Sequence, residues 1–152
     1  MDEFSEKLNN LLVETFNRIL KLEEQMLKAH SKMNLSISEF HVIEAVGKGE
    51  QKPKTISELA VDLGVTIPSV TNAIKKLEVN GYVQKVKSET DGRSILVSLT
   101  RLGKKVDSVH KYFHQKMVTA LTKDLNEQEK TSLEQGINRL DKFFKEKLDL
   151  EK

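Results

Sequence analysis

Apolar residues recur at helical spacing along most of this chain, and the pattern is sharpest between Thr55 and Val83, TISELAVDLGVTIPSVTNAIKKLEVNGYV. Ile56, Leu59, Ala60 and Leu63 stand at i, i+3, i+4 and i+7, the buried stripe of a short helix. Thr55 precedes it as an N-cap, and Glu58 is placed to close a capping box. Gly64 then interrupts the pattern between Leu63 and Val65. A residue free to take positive φ permits a tight turn there, and the apolar neighbours hold that turn to the core. The second helix is capped by Thr66, carries Pro68 in its first turn, buries Val70, Ala73, Ile74 and Leu77, and stops at Asn80-Gly81. The pair predicts a helix-turn-helix.

Beyond it the period shortens to two. Tyr82 to Lys87 and Ser94 to Leu99 are rich in strand formers, the second alternating Ile95, Val97 and Leu99, and residues 88–93 join them. This predicts a hairpin, or wing, attached to the second helix. Longer helices flank the unit. Residues 4–33 read as one helix with Phe4, Leu8, Leu11, Leu12, Phe16, Ile19 and Met26 on its apolar side. Another starts at Ser36 or Ser38, offers Phe40, Val42, Ile43 and Val46 to a core, and ends in Gly47-Lys48-Gly49. After the wing, Thr100 caps a helix striped by Leu102, Val106, Val109, Phe113, Met117, Ala120 and Leu121. Asn126 caps a last one with Leu133, Ile137, Leu140, Phe144 and Leu148. The three long helices carry more apolar face than the small winged unit can cover, which predicts packing against a second copy of the chain, the alternative being a monomeric bundle.

The polar side of the second helix of the pair holds the chemistry. Pro68, Ser69, Thr71, Asn72, Lys75 and Lys76 lie opposite the buried stripe, with small hydrogen-bonding groups first and cations later. Such a helix suits entry into the major groove of DNA by its N-terminus. Ser69, Thr71, Asn72 and Lys76 are the candidates for base edges, and Lys75 with Lys87 for phosphates. At the wing tip, Arg93 is the candidate for the minor groove, with Asp91 beside it to orient the guanidinium. A surface turn with an incidental ion pair, and a helical hairpin with a solvated face, are the plainer alternatives. Charge decides between them. Of a net +2, residues 52–105 hold ten Lys/Arg against five Asp/Glu, hence +5, and the remainder holds fifteen against eighteen, hence −3. The positive charge is concentrated on the proposed reading unit, which predicts salt-sensitive phosphate binding.

From Leu35 to Gly103, LSISEFHVIEAVGKGE, the helix-turn-helix, the DGR of the wing and LVSLTRLGKK together resemble the winged-helix core of the MarR family of bacterial transcriptional regulators, and the flanking helices extend the likeness over the chain. The resemblance implies a mostly α, α+β winged-helix fold in one domain spanning 1–152, with a DNA-binding core at 35–103 and dimerisation helices at 1–34 and 104–152. It also implies a homodimer on palindromic operator DNA, acting as a repressor and responding to an effector. FNRILKLEEQ, FHVIEAVGKGEQ and VHKYFHQKMV are similar to the fatty-acid-biosynthesis repressor (FabT-like) branch. There the effector is a long-chain acyl group on acyl carrier protein, and Phe16, Ile19, Met26, Phe113 and Met117 would line its tunnel; the same side chains at the same spacing also fit a plain core. The likeness departs at the wing, where Gly92 and Ser94 reduce bulk and charge.

Composition narrows the rest. Absence of cysteine excludes disulfides and thiol redox sensing. No apolar run is long enough to span a bilayer and the first residues are acidic and polar, from which a cytoplasmic location is expected. Neither a nucleophile elbow, a P-loop, a dinucleotide-binding turn nor a zinc-protease helix occurs, so no catalytic residue is assigned. His110 and His114, four apart on one helix, could share a zinc with His41 and a carboxylate such as Glu24, an arrangement resembling the zinc-uptake repressors of the family. A protein-interaction module without DNA binding is the competing class.

Overall fold

The computed structural model describes residues 1–30 and 35–150. In order come α1 (Glu3–His30), α2 (Ile37–Lys48), α3 (Ile56–Leu63), α4 (Ile67–Val79), β1 (Val83–Lys87), β2 (Ile95–Leu99), α5 (Arg101–Thr122) and α6 (Glu127–Leu150). The expected continuation of α1 to residue 33 lies outside the described residues.

The helix boundaries follow from their caps. Ser36 closes a capping box with Glu39 at the start of α2, Thr55 closes one with Glu58 at the start of α3, and Thr66 accepts the Ser69 amide at the start of α4. Asn126 and Glu129 exchange side-chain-to-backbone bonds of 2.8 and 2.9 Å before α6. Helices α3 and α4 end alike: Gly64 and Gly81 take φ of +65° and +82°. The next residues, Val65 and Tyr82, donate backward to the carbonyls of Ala60 and Leu77.

The chain divides into two compact units, Met1–His110 and Lys111–Lys152. The first contains α1 to α4, the wing and the opening turns of α5. Its core is built from Phe40, Val42, Ile43 and Val46 of α2, Leu59 and Ala60 of α3, Val70, Ile74 and Leu77 of α4, and Tyr82, Val83, Val97 and Leu99 of the wing. β1 and β2 pair antiparallel from Val83↔Leu99 to Lys87↔Ile95. Lys54 adds a bridge to Val97, whose amide donates to the Lys54 carbonyl at 2.9 Å, so the linker before α3 borders the wing.

The unit boundary falls inside α5, whose first turns bury a different stripe from the one its apolar residues suggest. Leu102 is exposed, whereas Gly103, Val106, Asp107 and His110, at i, i+3, i+4 and i+7, are buried. Gly103 lies against the end of β1's approach, where an added Cβ would meet the Tyr82 carbonyl oxygen at 2.0 Å. In α1 the apolar face of the N-terminal half is exposed, at Phe4, Leu8, Leu11, Leu12, Val13 and Phe16, and burial begins only at Glu23 and Leu27. The second unit, the rest of α5 with α6, also shows large apolar side chains, among them Leu121, Ile137, Phe143, Phe144 and Leu148.

Gly103→Ala is expected to destabilise the protein by about 1–3 kcal/mol, because backbone rather than a flexible side chain opposes the new methyl group. Gly136→Ala, within α6 with nothing inside 4 Å of its Cβ position, is expected to stabilise by about 0.5–1 kcal/mol through helix propensity. Urea unfolding midpoints of the two variants check this, and a shift in the same direction for both would contradict it.

Candidate nucleic-acid interface

The buried stripe of α4 fixes which side chains face outward. With Val70, Ile74 and Leu77 in the core, Ser69, Asn72, Lys75 and Lys76 are exposed on the opposite side, as the sequence pattern predicts. Thr71 departs from that set. It is half-buried and its hydroxyl donates to the Ile67 carbonyl at 2.9 Å, so its one proton is used inside the helix rather than presented to a base. Ser69 shares a 2.9 Å hydrogen bond with the hydroxyl of the cap, Thr66. Lys76 is not a loose cation: its Nζ lies 2.6 Å from Glu39 Oε1 on α2.

The wing places Lys87 at the end of β1 and Arg93 on the connecting turn, both exposed. Asp91 does not orient the Arg93 guanidinium as expected; it organises the turn itself. Its Oδ1 accepts the backbone N–H of Arg93 at 3.1 Å and its Oδ2 accepts the Ser94 hydroxyl at 2.8 Å. The Asp91 amide donates to Ser88 Oγ, and the Ser88 amide to the Ser94 carbonyl. Ser94 therefore serves the tip as a structural donor. Its hydroxyl first, and the Arg93 amide second, hold the Asp91 carboxyl below the ordinary value of 3.8.

Away from this surface, α1, α2 and α5 enclose a polar pair. His110 Nε2 and Glu23 Oε1 are 3.0 Å apart and both side chains are buried. Glu44 of α2 lies 3.6 Å from His110 Nδ1, and the Phe40 ring meets the imidazole edge-on at 4.6 Å. A small cavity of about 10 Å³ is bordered by Met26, Leu27, Phe40, Val106 and Val109 together with the pair. This differs from two expectations. Of the residues named for a zinc, Glu24 is exposed and paired with Lys28, Glu23 rather than Glu24 stands beside His110, and His41 is exposed on the side of α2 that borders α4. Of the expected tunnel residues, Met26 borders the cavity, Phe16 is 62% exposed and Ile19 half-buried. Phe113 and Met117 fall in the second unit, where Phe113 packs edge-on against His114.

The sequence model of the MarR family matches residues 35–95. The crystal structure of Streptococcus pneumoniae FabT in complex with DNA superposes with a TM-score of 0.80 at 31% identity, over 93% of this chain and 98% of that one. The chain belongs to the MarR family. A Staphylococcus aureus MepR–DNA complex shares the fold, with a TM-score of 0.70 at 18% identity over 88% of this chain and 94% of that one. Among curated relatives, the uncharacterized HTH-type transcriptional regulator YhjH of Bacillus subtilis (strain 168) is 33% identical over 86 residues, 57% of this chain and 48% of its own length. The HTH-type transcriptional regulator SarZ of Staphylococcus haemolyticus is 32% identical over 99 residues, 65% of this chain and 64% of its own length. The chain thus spans about half to two thirds of the curated relatives it matches. Among the described residues of this MarR-family chain, no helix is long and apolar enough to cross a membrane.

The lowered Asp91 carboxyl gives a pH prediction. A group ionised more readily in the folded wing supports the turn fully above its unfolded value near 3.8, and that support is lost as pH falls through the lower folded value. Amide resonances of Arg93 and Ser94 are expected to titrate with a midpoint under 3.8, and to lose that titration in Asp91→Asn; a midpoint above it would contradict the assigned bonds. The buried pair gives a second. Glu23→Ala leaves His110 facing a desolvated gap and is expected to cost about 3 kcal/mol, whereas Glu24→Ala removes an exposed pair worth under about 1 kcal/mol. Equal denaturation midpoints for the two variants would sink that contrast.

Proposed function

We propose that the protein is a DNA-binding transcriptional regulator, acting as a homodimeric repressor on palindromic operators with α4 in the major groove and the wing at the minor groove. The observation that carries this reading is the exposed face of α4, where Ser69, Asn72, Lys75 and Lys76 stand beside a wing that presents Lys87 and Arg93. Hydrogen-bonding groups lead and cations follow, which is the order a reading helix needs. The DNA complex of FabT, similar over nearly all of both chains, supports it. The exposed apolar faces of α1 and of α6 support a second copy as their cover.

For the genes controlled, we propose fatty-acid biosynthesis, with a long-chain acyl group on acyl carrier protein as co-repressor. The likeness to FabT supports this, together with the apolar lining around Met26, Phe40, Val106 and Val109. At about 10 Å³ the cavity holds no acyl chain as it stands; binding requires Met26 and Phe40 to move apart. The reading therefore includes an opening of that cavity when the acyl species binds.

The deciding measurement is the affinity of the purified protein for DNA upstream of its own and neighbouring genes at two salt concentrations, with and without long-chain acyl carrier protein and with and without zinc. Tighter binding with the acyl species alone is expected; tightening by zinc alone would overturn the effector assignment, and no salt-dependent DNA binding would leave a protein-interaction module instead. Arg93→Ala is expected to weaken binding to all sequences by about tenfold, and Asn72→Ala to change the preferred base pair at one position of each half-site, a discrimination of about 1–3 kcal/mol. Unchanged affinity and preference in both variants would remove the docking arrangement.

A further inference from the structure

We propose that the groove between α2 and α4 is an additional DNA contact, a seat for one backbone phosphate with Ser38 and His41 as its donors; this rests on the DNA-binding reading above. The groove encloses about 540 Å³ and is bordered by Ser38, Glu39 and His41 of α2 and by Ser69, Asn72 and Lys76 of α4. Three of the residues that make up the reading face therefore also form one of its walls. An α-helix with its side chains is about 10–12 Å across and the major groove of B-form DNA about 12 Å wide, so a helix seated there reaches the sugar-phosphate strands on both sides. On the side of Ser69, Asn72 and Lys76, the element that meets the strand is α2.

The chemistry of the groove is that of an anion seat. Ser38, His41 and Asn72 are exposed and each can donate a hydrogen bond, and Lys76 supplies a cation at the rim. Among the lining residues the one carboxylate is Glu39, and it is committed inward. Its side chain is 12% exposed; Oε2 accepts the Ser36 amide at 3.1 Å, and Oε1 accepts Lys76 Nζ at 2.6 Å. Held by both oxygens, Glu39 does not turn toward an incoming phosphate. It also keeps the Lys76 ammonium at the edge of the groove, within reach of the strand. Ser38 and His41 take part in neither the α2 cap nor the core, to which this helix gives Phe40, Val42, Ile43, Ala45 and Val46. Replacing them removes donors without opening a cavity.

The test uses the full chain and the DNA bound in the preceding experiment. Ser38→Ala/His41→Ala is expected to lower affinity about tenfold, and equally for operator and non-operator DNA, because phosphate contacts carry no sequence information. His41→Glu is expected to weaken binding further, by facing the phosphate with a carboxylate. Urea unfolding midpoints of both variants should match the unsubstituted protein. A half-site series with one neutral methylphosphonate per position then locates the contact. One position that weakens binding of the unsubstituted protein should have no effect on the double variant, and it should differ from the position silenced in Arg93→Ala. Full affinity in both variants, or a methylphosphonate profile identical to that of the unsubstituted protein, overturns the seat while leaving the DNA-binding reading intact. Absence of DNA binding by the unsubstituted protein overturns that reading, and the seat with it.

Discussion

The backbone of Tyr82 is where the reading helix, the wing and α5 are locked to one another. Its amide donates to Leu77 and so completes the end of α4, and its carbonyl accepts the Thr100 amide at 3.1 Å. The Thr100 hydroxyl donates to Gly81 and accepts the Gly103 amide, which makes one threonine both the clasp of the wing's two ends and the cap of α5. Gly103 permits the approach, since any side chain there would strike the Tyr82 carbonyl. The Tyr82 ring, 1% exposed, fills the core below. The end of α4, the start of the wing and the start of α5 thus share one hydrogen-bonded junction. The helix proposed to enter one groove of DNA and the hairpin proposed to reach the next are both anchored at that junction.

Much of this was legible in the sequence because it is decided locally. Thr55 and Glu58, Thr66 and Pro68, Asn80 and Gly81, and Asn126 and Glu129 each sit within a few residues of the backbone group they satisfy, and each marks an observed helix boundary. The alternation of Ile95, Val97 and Leu99 likewise set the register of β2, with Val97 and Leu99 inward. What was not legible joins residues far apart or is polar and buried. Glu39 reaches Lys76 across 37 positions, and Glu23 reaches His110 across 87. The apolar stripe of α5 runs in the sequence through Leu102, Val106 and Val109; of the buried positions it includes Val106 and passes over Gly103, Asp107 and His110. The four buried positions do stand at helical spacing; the signal was hidden because three of them are glycine, aspartate and histidine. Asp91 was misassigned for a similar reason. Adjacent Asp and Arg suggest an ion pair, yet a short carboxylate at a turn satisfies backbone and hydroxyl donors more readily than it follows a long guanidinium stem.

The electrostatics of the reading surface are also more constrained than the count of cations implies. Lys76 is tied to Glu39, Lys85 lies 3.7 Å from Glu78, and Lys54 is bonded to Asp62. Exposed pairs of this kind add little stability. They do fix where positive charge sits before DNA arrives, and a side chain already ordered loses less conformational entropy on contact than a free one. Within the unit the tethered lysines define the walls, while Lys75, Lys87 and Arg93 project from α4 and the wing.

Helix α2 connects this surface to the interior. Phe40 touches the His110 ring and Glu44 faces its second nitrogen, while Glu39, one residue before Phe40, holds Lys76 on α4. Twelve residues of continuous helix, capped at its first turn by that same Glu39, do not allow one end to shift without the other. The cavity at Met26 and Phe40 is too small for any ligand larger than about one water, so a molecule that enters it must displace Phe40. Phe40 stands next to Glu39, which holds Lys76, on the first turns of α2. The buried Glu23–His110 pair, which joins α1 to α5, lies beside that ring, and parting it breaks a hydrogen bond in a site shielded from water. A molecule that parts α1 from α5 must therefore satisfy or replace that bond, and a purely apolar one has no group to do so.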